Sequence, residues 1–144
     1  DEQADLIKAY NRRLFSGNLR EEMEFGQYWS SWENALASIA SDGISTRAPA
    51  DYARTFARIE NHYFINNGFL ENKDAILDNM EKIEHIPGNI VQGRFDMICP
   101  PTSAFNLVEK WPNAEIKIIP QAGHAMSEPG ISSELVKITN ELVS

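Results

Sequence analysis

Two stretches decide the fold. The first is Asn89-Ile90-Val91-Gln92-Gly93-Arg94-Phe95-Asp96, and the second is Glu115-Ile116-Lys117-Ile118-Ile119-Pro120-Gln121-Ala122-Gly123-His124. Each opens with a short run rich in β-branched residues and runs into a turn. Pro87-Gly88 introduces the first run, and Pro120 stops the second. Between them, Pro100-Pro101 leads into a segment with Phe105, Leu107, Val108 and Trp111, closed by Pro112, which predicts a helix. Strand, helix, strand over so short a distance predicts a βαβ unit with parallel strands. A last helix is predicted from about Ser132 to Val143, on Leu135, Val136, Ile138 and Leu142.

The chain upstream has a different texture. Residues 1–84 read as helices, and 85–144 as the strand-containing part. Leu6, Tyr10 and Leu14 recur at helical spacing until Ser16-Gly17. Asn18 is placed to cap a second helix, with Glu21 placed for a capping box. Phe25, Trp29, Trp32, Leu36 and Ile39 form its expected apolar face, and Ser41-Asp42-Gly43 its expected end. A third helix is predicted from Pro49, buried along Tyr52, Phe56, Ile59 and Tyr63 and stopped by Asn67-Gly68. A fourth is predicted over Asn72 to Ile83. Two parallel strands make no stable sheet alone, and a parallel sheet is normally covered on both faces. The second part is therefore expected to be the end of a larger doubly wound sheet. The start at Asp1, acidic and without Met, is expected to be a cut inside a longer protein.

Composition narrows the function classes. The 144 residues are 42% hydrophobic and 24% charged, an ordinary globular balance. A net charge of -8 argues against nucleic acid as a partner. No apolar run is long enough for a membrane span. The one cysteine, Cys99, excludes an internal disulfide and fits a reducing, cytoplasmic setting. With His62, His85 and His124 at no ligand spacing, no metal site is expected.

The chemistry-bearing residues are Asp96 and His124. In parallel strands both lie just past the carboxyl ends, the edge where open α/β sheets build their sites. Neighbouring strands are about 5 Å apart, so the two loops can touch. An Asp bonded to a His Nδ1–H fixes the tautomer and stabilises the imidazolium. Position alone leaves other roles open, since Asp after a strand is also a common turn residue.

The local strings are more specific. Gly93-Arg94-Phe95-Asp96-Met97-Ile98-Cys99-Pro100 and Gly123-His124-Ala125-Met126-Ser127-Glu128-Pro129-Gly130 resemble the Asp and His segments of the proline iminopeptidases, serine aminopeptidases of the α/β-hydrolase type. Trp111-Pro112-Asn113-Ala114-Glu115, Trp29-Ser30-Ser31-Trp32-Glu33 and Ala57-Arg58-Ile59-Glu60-Asn61-His62-Tyr63-Phe64 also resemble that family. The resemblance implies that residues 1–84 are a helical cap segment and 85–144 the last βαβα of the hydrolase sheet. It implies that Glu33 and Glu60 hold the substrate's free amino group. An ammonium taken from water needs carboxylate partners, which agrees. Cys99 matches a family cysteine near the active site and is expected to be a small buried neighbour.

Gly-x-Ser-x-Gly, the turn that presents a hydrolase nucleophile, is absent, and Ser30, Ser31, Ser103 and Ser127 lack its context. The resemblance implies release of N-terminal proline from peptides by Ser-His-Asp acyl transfer, with no organic cofactor. The serine and oxyanion hole would lie upstream, so this piece alone is expected to be inactive and to self-associate. Other readings are an esterase or epoxide hydrolase type of α/β-hydrolase, or a non-enzymatic helical interaction module.

Overall fold

A computed structural model describes residues 2–39 and 47–143. The expected break at Ser41-Asp42-Gly43 lies outside the described residues. Five α-helices and two strands are seen there: α1 Leu6–Leu14, α2 Leu19–Ala37, α3 Ala50–Ile65, β1 Gly88–Gly93, α4 Pro101–Glu109, β2 Ala114–Ile119 and α5 Pro129–Leu142. The chain divides into two compact units, Asp1–Ala35 with Asp42–Lys73, and Leu36–Ser41 with Asp74–Ser144.

The first unit is helical. Asp5 caps α1 by accepting from Lys8 N. Leu14, at the far end of α1, is fully buried with Trp29 of α2 and Ala57 of α3. Tyr10 meets the rings of Phe25 and Trp29 edge-on, a favoured aromatic geometry. Asn61 joins α3 to α1: it is completely buried, accepts from Asn11 Nδ2 at 2.8 Å and donates to Ile7 O. Glu22 is buried as well, and accepts from Arg54 and Arg58 of α3. Removing one member of such a group would strand a buried charge.

Several sequence expectations are corrected here. The buried face of α3 is Ala53, Ala57 and Asn61, whereas Tyr52, Ile59 and Tyr63 are more than half exposed. Small residues win because α3 runs close to α2: a Cβ on Gly26 would lie 2.7 Å from Arg54 Cα. Trp32 is likewise exposed, and α2 ends at Ala37, before Ile39. Asn18 caps α2 through Arg20 N and Glu21 N, but the Glu21 carboxylate bonds Arg13 and does not close a capping box. The expected helix over 72–83 is a short 3-10 turn, Leu77–Lys82. Asn79 is non-helical there and its side chain donates to Ala75 O, a local bond that competes with the helix.

The second unit holds the sheet. β1 and β2 pair in parallel with Gly88 opposite Ala114 and Gly93 opposite Ile119. The expected βαβ unit followed by a helix is what the chain adopts. Trp111 seats the start of β1: its indole donates to Ile86 O, and a Cβ on Gly88 would strike its ring. Asn113 donates to Glu84 O, and Gly88 N donates to Asn113 O. Lys110 donates to Leu77 O, so residues 77–84 are held against the end of α4 and the turn after it. Ile90, Val91, Ile116, Ile118 and Ile119 are only half-buried.

Candidate active site

The register carries Asp96 and His124 to one edge. Gly93 and Ile119 end their strands side by side. Arg94 N donates to Ile119 O and Phe95 N to Ala122 O, so the two loops stay together as they leave the sheet. His124 Nδ1 then lies 3.0 Å from Asp96 Oδ2. The structure therefore brings this pair together as the sequence led us to expect.

Asp96 is buried and fully engaged. Its Oδ1 accepts from Ile98 N at 3.0 Å and Cys99 N at 2.7 Å, the Asx-type turn that Asp favours. Its Oδ2 accepts from Gln92 Nε2 at 3.2 Å as well as from His124. Burial pushes this carboxyl up, but the Cys99 N–H, His124 and the Ile98 N–H outweigh it and hold it below its ordinary value. Asp96 is thus ionised at neutral pH, and as an acceptor it favours the hydrogen of the facing imidazole on Nδ1, which turns Nε2 to the reactant side. The His124 side chain is 40% exposed against 6% for Asp96, so the imidazole is open to a reactant while its partner is enclosed. A base oriented in this way can take a proton from a hydroxyl and return it to a leaving group.

The loop bearing His124 is held from behind. His124 N and Ala125 N both donate to Ala37 O, the last carbonyl of α2, at 2.8 and 2.7 Å. That satisfies one of the carbonyls a helix leaves unpaired at its end. Gln92 and Ala37 were missed in the sequence. An amide side chain at a strand end and a main-chain carbonyl carry no residue-type signal for such a role. Cys99 is exposed, contrary to expectation, and what it offers the pair is its backbone N–H.

Glu33 and Glu60 lie in the other unit, on α2 and α3. Both are part-buried. Glu60 accepts from the Trp29 indole at 2.7 Å. Glu33 lines a pocket of about 450 Å³ with Ile7, Tyr10, Trp29, Trp32 and Phe64. Trp29 therefore borders both acids. A largely aromatic wall with few acids suits a ligand having an apolar body and a cationic end. Exposed Trp32 belongs to this wall, whereas His62 is exposed and lies tilted against the Phe69 ring.

Among the described residues no group of His, Cys, Asp and Glu could hold a metal ion, and no helix is long and apolar enough to cross a membrane.

The buried carboxylates set an acid limit on stability. Glu128 is held below its ordinary value by the Ser38 side chain, against burial, with the Ile39 and Gly123 N–H groups adding to the effect. Glu22 is raised by burial but lowered further by Arg54, the Gly17 N–H and Arg58. For these two and Asp96, the unfolded chain takes up protons first as pH falls. Their stabilisation is full above the ordinary values of 4.5 and 3.8 and is lost below them. The urea midpoint is expected to be level above pH 6 or so and to drop steeply below pH 4.5 or so. A flat profile through that window would refute the assignment of these buried groups.

No family model matches the chain. It is 44% identical over 140 residues to a proline iminopeptidase of Arabidopsis thaliana, a match covering 96% of this chain and 37% of that protein. A probable proline iminopeptidase of Leptolyngbya boryana is 43% identical, covering 100% of this chain and 46% of that one. A proline iminopeptidase of Neisseria gonorrhoeae is 38% identical, covering 96% and 44%. Among solved structures, an esterase from Exiguobacterium antarcticum aligns with a TM-score of 0.48 at 18% identity, over 96% of this chain and 46% of the esterase. The chain spans less than half the length of the relatives it matches. Along nearly its whole length, then, this chain is similar in sequence to proline iminopeptidases.

Proposed function

We propose that this chain supplies the base, its orienting acid and the amine-binding carboxylates of a serine exopeptidase that releases N-terminal proline from peptides. The observation that carries the reading is the 3.0 Å bond between His124 Nδ1 and the buried Asp96 carboxylate, within a sequence 38–44% identical to proline iminopeptidases. In this reading residues 1–84 are a helical cap segment and residues 85–144 the last strands and helices of an α/β-hydrolase sheet. The half-buried strand residues favour a larger sheet around them. The serine and the oxyanion donors come from the remainder of the enzyme, which this chain does not include. His124 Nε2 accepts the serine proton as the hydroxyl attacks the prolyl carbonyl carbon. It returns that proton to the leaving amine when the acyl-enzyme forms, and water then repeats the cycle. Asp96 stays ionised and steadies the imidazolium. Glu33 and Glu60 take the prolyl ammonium, and the aromatic wall beside Glu33 takes the ring. No metal or organic cofactor enters any of these steps.

The amine assignment separates this reading from an esterase. In the full-length enzyme, Glu33→Gln and Glu60→Gln are each expected to lower kcat/KM on a prolyl arylamide by about 100-fold, the worth of a charge-assisted bond in an enclosed site. Hydrolysis of an uncharged aryl ester should change by less than about threefold. Equal losses on both substrates would defeat the assignment. The chain by itself is expected to turn over neither substrate.

A further inference from the structure

Glu128 is an acid that the chemistry above does not use, and its surroundings do not suit an ordinary cap. It stands at the N-cap of α5, yet its side chain makes no capping bond to that helix. It is 5% exposed. One oxygen accepts from Ile39 N at 2.9 Å. The backbone N–H of Glu128 donates to Ala125 O at 3.0 Å, in the His124 loop. A carboxylate is costly to bury unless several donors meet it. Here a donor comes from Ile39, in the segment on which the His124 loop rests, and Gly123 lies so close to that segment that a Cβ on it would be 3.0 Å from Ala37 O and 3.4 Å from Ile39 N.

The neighbouring bonds show what this adds. Ala122 O is held by Phe95 N on one side of Gly123. On the other side, His124 N and Ala125 N share the single acceptor Ala37 O. Two donors on one oxygen form a pivot, because the loop can rock about that atom without losing either bond. Glu128 joins Ala125 O, through its N–H, to Ile39 N, through its carboxylate, and so gives the loop and residues 37–39 a second tie that stops the rocking. We propose that Glu128 is the positioning residue for His124, holding its imidazole in line with Asp96. This rests on the reading of His124 as the base.

The test is the imidazole tautomer of His124 in this chain, measured by long-range proton–nitrogen NMR at alkaline pH, where the ring is neutral. The wild-type chain is expected to hold His124 mainly as the Nδ1–H form. Glu128→Ala and the isosteric Glu128→Gln are each expected to lower the ratio of Nδ1–H to Nε2–H by at least about tenfold, the worth of one net hydrogen bond. Glu128→Asp keeps the charge and should restore part of the ratio. Unchanged amide shifts for Ile98 and Cys99, which sit on Asp96 Oδ1, certify that the fold persists. A merely structural acid would lower the melting temperature and leave the tautomer alone. If Glu128→Ala does not fold, Glu128→Gln decides. A ratio within about twofold of wild type in the folded variants overturns the proposal. The underlying reading fails separately: full-length His124→Ala would keep its turnover while the Glu128 variants still shift the tautomer.

Discussion

In the full-length enzyme, Asp96→Asn is expected to lower kcat on a prolyl arylamide by about 10⁴-fold, and His124→Ala by at least as much. KM should move far less, because in the proposed mechanism the pair acts mainly in the transition state. The size of the Asn effect follows from the donors around Asp96. Oδ1 receives two backbone N–H groups, so the oxygen of an Asn would be drawn there. Its NH2 would then face His124 Nδ1 and Gln92 Nε2, where the carboxylate had accepted from both. His124 could bond that NH2 only as the Nε2–H tautomer, which has no lone pair left for a serine proton. Steady-state kinetics on purified variants, with urea midpoints to show that folding is intact, checks this. A loss under about tenfold for either variant would remove the pair from the mechanism.

Gly93→Ala is expected to cost about 3 kcal/mol or more of folding stability, a large part of what a domain of this size has. A Cβ there would lie 1.9 Å from Gly123 O and 2.8 Å from Ala122 O. Those are backbone atoms, and their loop is already bonded to Phe95 N, Ala37 O and Glu128. No side chain can swing aside, so either the strand or the His124 loop has to move. The same change should therefore weaken the Asp96–His124 bond as well as the fold. Gly17→Ala is the natural comparison, since Gly17 has φ +79° but open space around it. It should cost only about 1 kcal/mol, from backbone strain. Denaturant titrations of the two variants should differ clearly, and similar costs would show that the crowding at Gly93 is relieved by easy shifts.

The features that were legible in the sequence are those in which neighbouring residues carry their own physics. The β-branched runs 90–91 and 116–119, bounded by Pro and Gly, can do little but form strands, and a helix-length spacer makes them parallel. Parallel strands must put Asp96 and His124 at one edge. Asn67-Gly68 stopped α3 because the chain there takes positive φ, at 51° and 64°.

What only tertiary structure decided are the choices set by how closely two elements approach. Periodicity favoured Tyr52, Ile59 and Tyr63 as the buried face of α3, and packing chose Ala53 and Ala57, because the crossing at Gly26 leaves no room for rings. Residues 72–83 had helical spacing, but they form only a short 3-10 segment, with the Asn79 side chain on Ala75 O, held by Lys110 and Asn113. The supports of the candidate site are of the same kind. The carbonyl of Ala37, on His124 N and Ala125 N, and the carboxylate of Glu128, on Ile39 N, act between segments distant in the chain, while Gln92 reaches Asp96 only through the turn that closes β1. The sequence alone determined which two residues meet at the sheet edge. How firmly they are held there depends on hydrogen-bond partners that only the folded chain brings within 3 Å or so, because such bonds act over no greater distance.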